Sequence, residues 1–96
     1  MTVAGADETD VPAVKIAATA VSVRRSVLVE VSDHGFVVGV RLLSDVVRQW
    51  DSWTLGERTV AVASVAHNRY LANQPNTDGH GPTLDAVAAA ERELNF

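Results

Sequence analysis

Cysteine is absent from this chain of 96 residues, which excludes a disulfide framework and a thiolate-held zinc ion. Lysine occurs once, at Lys15, and every other basic residue is an arginine. Twelve acidic residues against eight basic ones give a formal net charge of −4 and a sequence pI of about 5.1. That balance argues against strong non-specific attachment to nucleic acid, although it leaves room for a local arginine patch. No apolar run approaches the roughly 20 residues that a membrane-spanning helix needs, so no membrane insertion is expected. Catalytic signatures are missing too. There is no Gly-x-Ser-x-Gly elbow, and Gly79-His80-Gly81 is too short to cradle a phosphate. His34, His67 and His80 fall in a turn, a helix and a linker, with no second ligand at metal-binding spacing on the same helix face. The carboxylates crowd the N-terminal segment, where water solvates them and cannot raise a pKa for acid catalysis. The expectation is a protein with no catalytic residue, cofactor, metal ion or small-molecule substrate.

What is present describes one small domain. With 47% hydrophobic residues and a mean hydropathy of +0.08, the body has enough apolar material to fold. Residues 1–12 read as a flexible acidic arm ending at Pro12, without the basic and apolar regions of a secretory signal peptide. An α+β domain follows over residues 13–73. Its first segment, Ala13 to Val23, is β-branched but slips phase around Ala17–Ala20, which calls for a bulge or a strand beginning near Thr19. Val27, Val29 and Val31 then alternate with Leu28, Glu30 and Ser32, the pattern of a strand with one buried face. Ser32-Asp33-His34-Gly35 makes a turn, and Phe36, Val38, Val40 and Leu42 alternate beyond it, completing a hairpin.

Ser44 is placed to cap a short helix from Asp45 to about Gln49, and Ser52 or Thr54 to cap a long one over 54–73. Leu55, Thr59, Val62, Ala63, Val65, Ala66 and Tyr70 share one side of the long helix, wide enough to cover a sheet. Val60, Ser64, His67 and Leu71 form a second, narrower stripe. Two stripes exceed what one small sheet can cover, which points to a homodimer with those four residues at its interface. Residues 74–82 form a linker, and residues 83–96 a short C-terminal helix whose apolar positions are Leu84, Val87, Ala88 and Leu94. Alone that helix is marginal in water, so it must dock. Trp50 and Trp53, one turn apart, read either as a lid over the core or as anchors for a partner. Arg24, Arg25, Arg41 and Arg48 are the cations that would have to converge if the chain touched DNA phosphates.

The run Val27 to Leu42, with its turn glycine Gly35, followed by Leu55-Gly-Glu-Arg58 and the Ala63…Ala66 helix, resembles the YbaB/EbfC nucleoid-associated family in order and spacing. The likeness spans about Val21–Leu71, and the chain also resembles the actinobacterial branch associated with type VII secretion, of the EspD/EspH kind. There an acidic arm precedes the core and a Pro-led, Ala- and Glu-rich tail follows, as Pro82 to Leu94 does here. The resemblance implies a dimer in which strands and helices of two chains pack together. The long basic N-terminal helix of typical members is replaced here by the acidic arm. Tyr70 is followed four residues later by Gln74, where an export signal would place an acidic residue.

Together these readings predict an α+β fold: a short antiparallel sheet of about three strands, one long helix packed on it and a short C-terminal helix, assembled as a YbaB-like dimer. The expected function is that of a cytoplasmic, non-enzymatic accessory protein tied to type VII secretion, with export by a non-classical route left open. Its partners would be itself and a secretion-system protein. The alternative is a nucleoid-associated DNA binder.

Overall fold

Three consecutive strands, β1 (Ile16–Val21), β2 (Val27–Ser32) and β3 (Val37–Leu42), form an antiparallel sheet in the order β1-β2-β3. A 3₁₀ helix (Asp45–Gln49), the long helix α1 (Ser52–Ala72) and the short helix α2 (Leu84–Arg92) complete the chain. The computed structural model describes residues 15–74 and 81–96, so the acidic arm of 1–12 and the middle of the 74–82 linker lie outside the described residues. The expected α+β architecture is the one observed. Among the described residues no helix is long and apolar enough to cross a membrane.

Both hairpins are built on a buried serine. Ser22 Oγ accepts from the backbone N–H of Ser26 at 3.0 Å and of Val27 at 3.2 Å, while Ser32 Oγ accepts from His34 at 3.2 Å and Phe36 at 3.3 Å. Each turn then closes through an N–H three residues on, Arg25 to Ser22 O at 2.8 Å and Gly35 to Ser32 O at 3.0 Å. The closing residue is left-handed in both, with φ of 57° at Arg25 and 85° at Gly35. This is a type I turn followed by a left-handed residue, a common short hairpin connection. Gly35 suits it without strain, whereas Arg25 carries a Cβ into a region that disfavours one.

The phase slip expected in the first strand is a bulge between Ile16 and Ala18. A second bulge, which the alternation of Phe36, Val38, Val40 and Leu42 does not betray, sets Val31 opposite Val37 after Glu30 has paired with Gly39. Val40 and Leu42 keep their phase opposite Val29 and Val27, and so lie on the helix side of the sheet.

Helix α1 starts two residues earlier than its periodicity suggests, because Asp51 is the cap. Its Oδ1 accepts from the Thr54 N–H at 2.7 Å, which holds the carboxyl below its ordinary pKa. The 3₁₀ helix has Ser44 as its cap, as expected. Val62, Val65 and Ala66 of α1 are buried against Ala20, Val27, Val29 and Val31, and Val87 and Leu94 close the core from the C-terminal segment. Thus the C-terminal segment docks on its own domain through Val87 of α2 and Leu94 just beyond it, while Leu84 remains exposed.

Gly35 faces Tyr70, whose ring carbon would lie 3.0 Å from an added Cβ. Gly35→Ala is expected to destabilise the fold by about 1–2 kcal/mol, a fall of roughly 5–10 °C in Tm by calorimetry. Gly56, in α1 with nothing within 4 Å of such an atom, is the control: Gly56→Ala should stabilise by up to about 1 kcal/mol.

Candidate interaction surface

A three-stranded sheet has two edges, and they are treated differently. Along β1 the outward backbone groups are taken up by a side chain of α1 and by the C-terminal segment. Glu91 Oε2 accepts from the Val21 N–H at 2.9 Å, and Arg69 Nη1 donates to the Thr19 carbonyl. The same two side chains form a fork, Nη2 to Oε1 at 2.8 Å and Nη1 to Oε2 at 3.1 Å, three-quarters removed from solvent. Past the strand, Val23 N–H donates to Leu94 O at 2.8 Å and Arg24 N–H to Phe96 O at 3.1 Å. The hydrogen bonds from Arg69 lower the Glu91 pKa, outweighing the opposing effect of burial, and the same contact raises that of Arg69.

Along β3 nothing comparable occurs among the described residues. Leu43 N–H donates to Ser26 O at 2.8 Å, which fixes the hydrogen-bonding phase of the β2–β3 pair. Arg41 and Gly39 therefore turn their backbone groups toward β2, and Val40 and Leu42 turn theirs outward. Their side chains are uncovered as well. Helix α1 packs over β1 and β2 and barely reaches β3, so Val40 is 46% exposed and Leu42 52% on the very face that is buried one strand away. Phe36, Val37 and Val38 extend the exposed apolar strip to the turn.

The opposite face of β3 is polar. Arg41 Nε lies 3.6 Å from Glu30 Oε1, and the Glu30 carboxylate leans across the space that a side chain at Gly39 would fill. Any larger residue at 39 would displace that carboxylate.

The expected interface residues Val60, Ser64, His67 and Leu71 all sit on the exposed side of α1, turned away from the sheet, with Val60 67% exposed. The two tryptophans part company. Trp50 is half-buried, edge-to-face with Phe96 at 5.9 Å, and the Arg58 guanidinium stacks 4.4 Å above its ring. Trp53, by contrast, is 75% exposed and lies with Gly56, Glu57, Val60 and Ala61 along a shallow apolar groove.

Arg24 and Arg25 occupy the β1–β2 turn, and Arg48 follows in the 3₁₀ helix that leaves the same end of the sheet. Arg41 does not join them, being drawn to Glu30 on the outer sheet face. His34 is exposed in its turn, His67 stacks loosely with Tyr70 at 6.2 Å, and His80 lies outside the described residues. No local pattern in the sequence points to the Arg69–Glu91 fork. Its two residues are 22 apart in sequence, and only the docking of α2 beside α1 brings them together.

The chain matches no family model, no curated protein and no solved structure in comparisons with known proteins.

The fork predicts a pH dependence. Because the folded pKa of Glu91 is depressed, its contribution is complete above the ordinary glutamate value and is lost as pH falls through the folded one. Arg69 stays charged throughout that range. Glu91→Ala should lower stability by about 2 kcal/mol at neutral pH, with the gap to wild type closing on acidification in denaturant titrations.

Proposed function

We propose that this chain is a non-enzymatic, homodimeric interaction protein, one of whose apolar surfaces serves self-association and the other a second protein. The observation that carries this reading is the uncovered strip on β3, where valine and leucine stand half-exposed beside a core of the same residues. Large contiguous apolar surface on a small domain is the mark of an association site. Trp53 and the outer stripe of α1 supply a second such area on another face. Following the resemblance to the actinobacterial secretion-associated branch, the protein acts in the cytoplasm as an accessory to type VII secretion, with a secretion-system protein as its partner.

A nucleoid-associated DNA-binding role is the second reading. It draws support from the gathering of Arg24, Arg25 and Arg48 at one end of the sheet. A net charge of −4 and the pairing of Arg41 with Glu30 weigh against it.

Light scattering after size exclusion, with and without a short duplex DNA at low salt, separates the two. The expected result is the mass of a dimer, unchanged by DNA. A monomer would remove the basis for the homodimer reading. A salt-sensitive DNA complex that Arg24→Glu with Arg25→Glu abolishes would transfer the function to the second.

A further inference from the structure

We infer that β3 is the dimer seam: the outer edge of β3 pairs antiparallel with β3 of a second copy about a two-fold axis at Val40, giving one continuous sheet with three strands from each copy. This rests on the homodimer reading and deepens it by naming the surface, the register and the contacts.

Val40 and Leu42 present N–H and C=O groups outward, and no other described residue meets them, whereas the β1 edge is closed by Arg69, Glu91, Leu94 and Phe96. An unpaired edge is a template for another strand. The outer stripe of α1 offers side chains alone, and Ser64 and His67 interrupt it.

The register follows from the residues. An axis at Val40 sets Val40 against its own copy on the helix side and brings Leu42 against the bulged Val38 of the second copy, apolar against apolar. On the other side Arg41 falls opposite Gly39 of the second copy. An axis at Arg41 would oppose two guanidinium groups directly. An axis at Gly39 would bring the bulged Val38 next to the axis and set Arg41 opposite Val37 instead of Gly39.

With the axis at Val40, charge complementarity completes the fit. The Glu30 carboxylate already leans over Gly39, the one position on the outer face of β3 without a side chain. Arg41 arriving from the second copy across that glycine reaches this carboxylate. The two-fold axis repeats the contact, so two Arg41–Glu30 pairs cross the seam. Gly39 is then explained twice, since a side chain there would obstruct both Glu30 and the incoming Arg41.

Charge reversal tests the seam, because it separates pairs between copies from the pair within one. Arg41→Glu places four carboxylates around the axis, and Glu30→Arg places four guanidinium groups there. Each variant alone should dissociate, with a dissociation constant raised by about tenfold or more. Mixed in equal amounts they should recover the dimer mass in sedimentation, since each chain then faces its opposite, although the pair within each chain remains repulsive. Val60→Asp with Leu71→Asp should remain dimeric. Should a charge variant fail to fold, Val40→Lys, at a position already half-exposed, serves in its place and should be monomeric. Two single variants that stay dimeric, or a mixture that stays dissociated, would overturn the seam while leaving a dimeric wild type standing. A wild type that is itself monomeric would overturn the homodimer reading as well.

Discussion

Helix α1 carries an apolar strip wide enough to cover two strands, and the sheet has three. Val62, Val65 and Ala66 sit over β1 and β2, where Ala20, Val27, Val29 and Val31 are almost wholly buried. The same face of β3 continues the surface without a helix above it. The exposed valines of β3 are thus the remainder of a core that one helix cannot finish, not scattered surface residues. A second helix would have to lie alongside α1 to cover them. The chain instead spends its second helix, α2, on the far side, against α1 and the β1 edge.

That choice makes the sheet asymmetric. Arg69 and Glu91 act at once as an ion pair between α1 and α2 and as hydrogen-bonding partners for Thr19 and Val21. The fork is mostly buried, and each charged atom in it has a partner, the condition under which burying charge is tolerable. Beyond it the backbone of Leu94 and Phe96 continues the closure, while Phe96 also packs against Trp50 under Arg58. The C-terminal segment is therefore part of the fold, and any pairing of the sheet with another chain is directed to β3.

The proposed function rests on this geometry more than on any single residue. The open edge and the Trp53 groove lie on different faces, so association along one does not consume the other. A dimer joined through β3 would set two α1 helices on the same side of a shared sheet, each with its outer stripe still facing water. Such an arrangement presents a second protein with two copies of one surface, and paired weak contacts bind more tightly than either alone.

Much of the architecture was legible in the residues. The valine alternation of β2, the turn at Gly35, the serine-capped 3₁₀ helix and the apolar periodicity of α1 are local patterns, and local patterns set local structure. The bulge in β1 announced itself through the phase slip at Ala17–Ala20. The bulge in β3 did not, because valines stand on both sides of it and an alternating apolar run looks the same with one residue displaced. Asp51, Ser52 and Thr54 are equally good caps by residue type, and only backbone geometry selects Asp51.

The sequence by itself determined the strands, the helices and the presence of surplus apolar surface, since each depends on side chains within a few positions of one another. Tertiary structure decided which strand went uncovered, which edge was closed and which tryptophan was sheltered. Those outcomes depend on how α1 lies across the sheet and where α2 returns, contacts such as Arg69 with Thr19 and Glu91 with Val21 that span 50 and 70 positions. No spacing rule links residues so distant, because packing, not local conformation, brings them together.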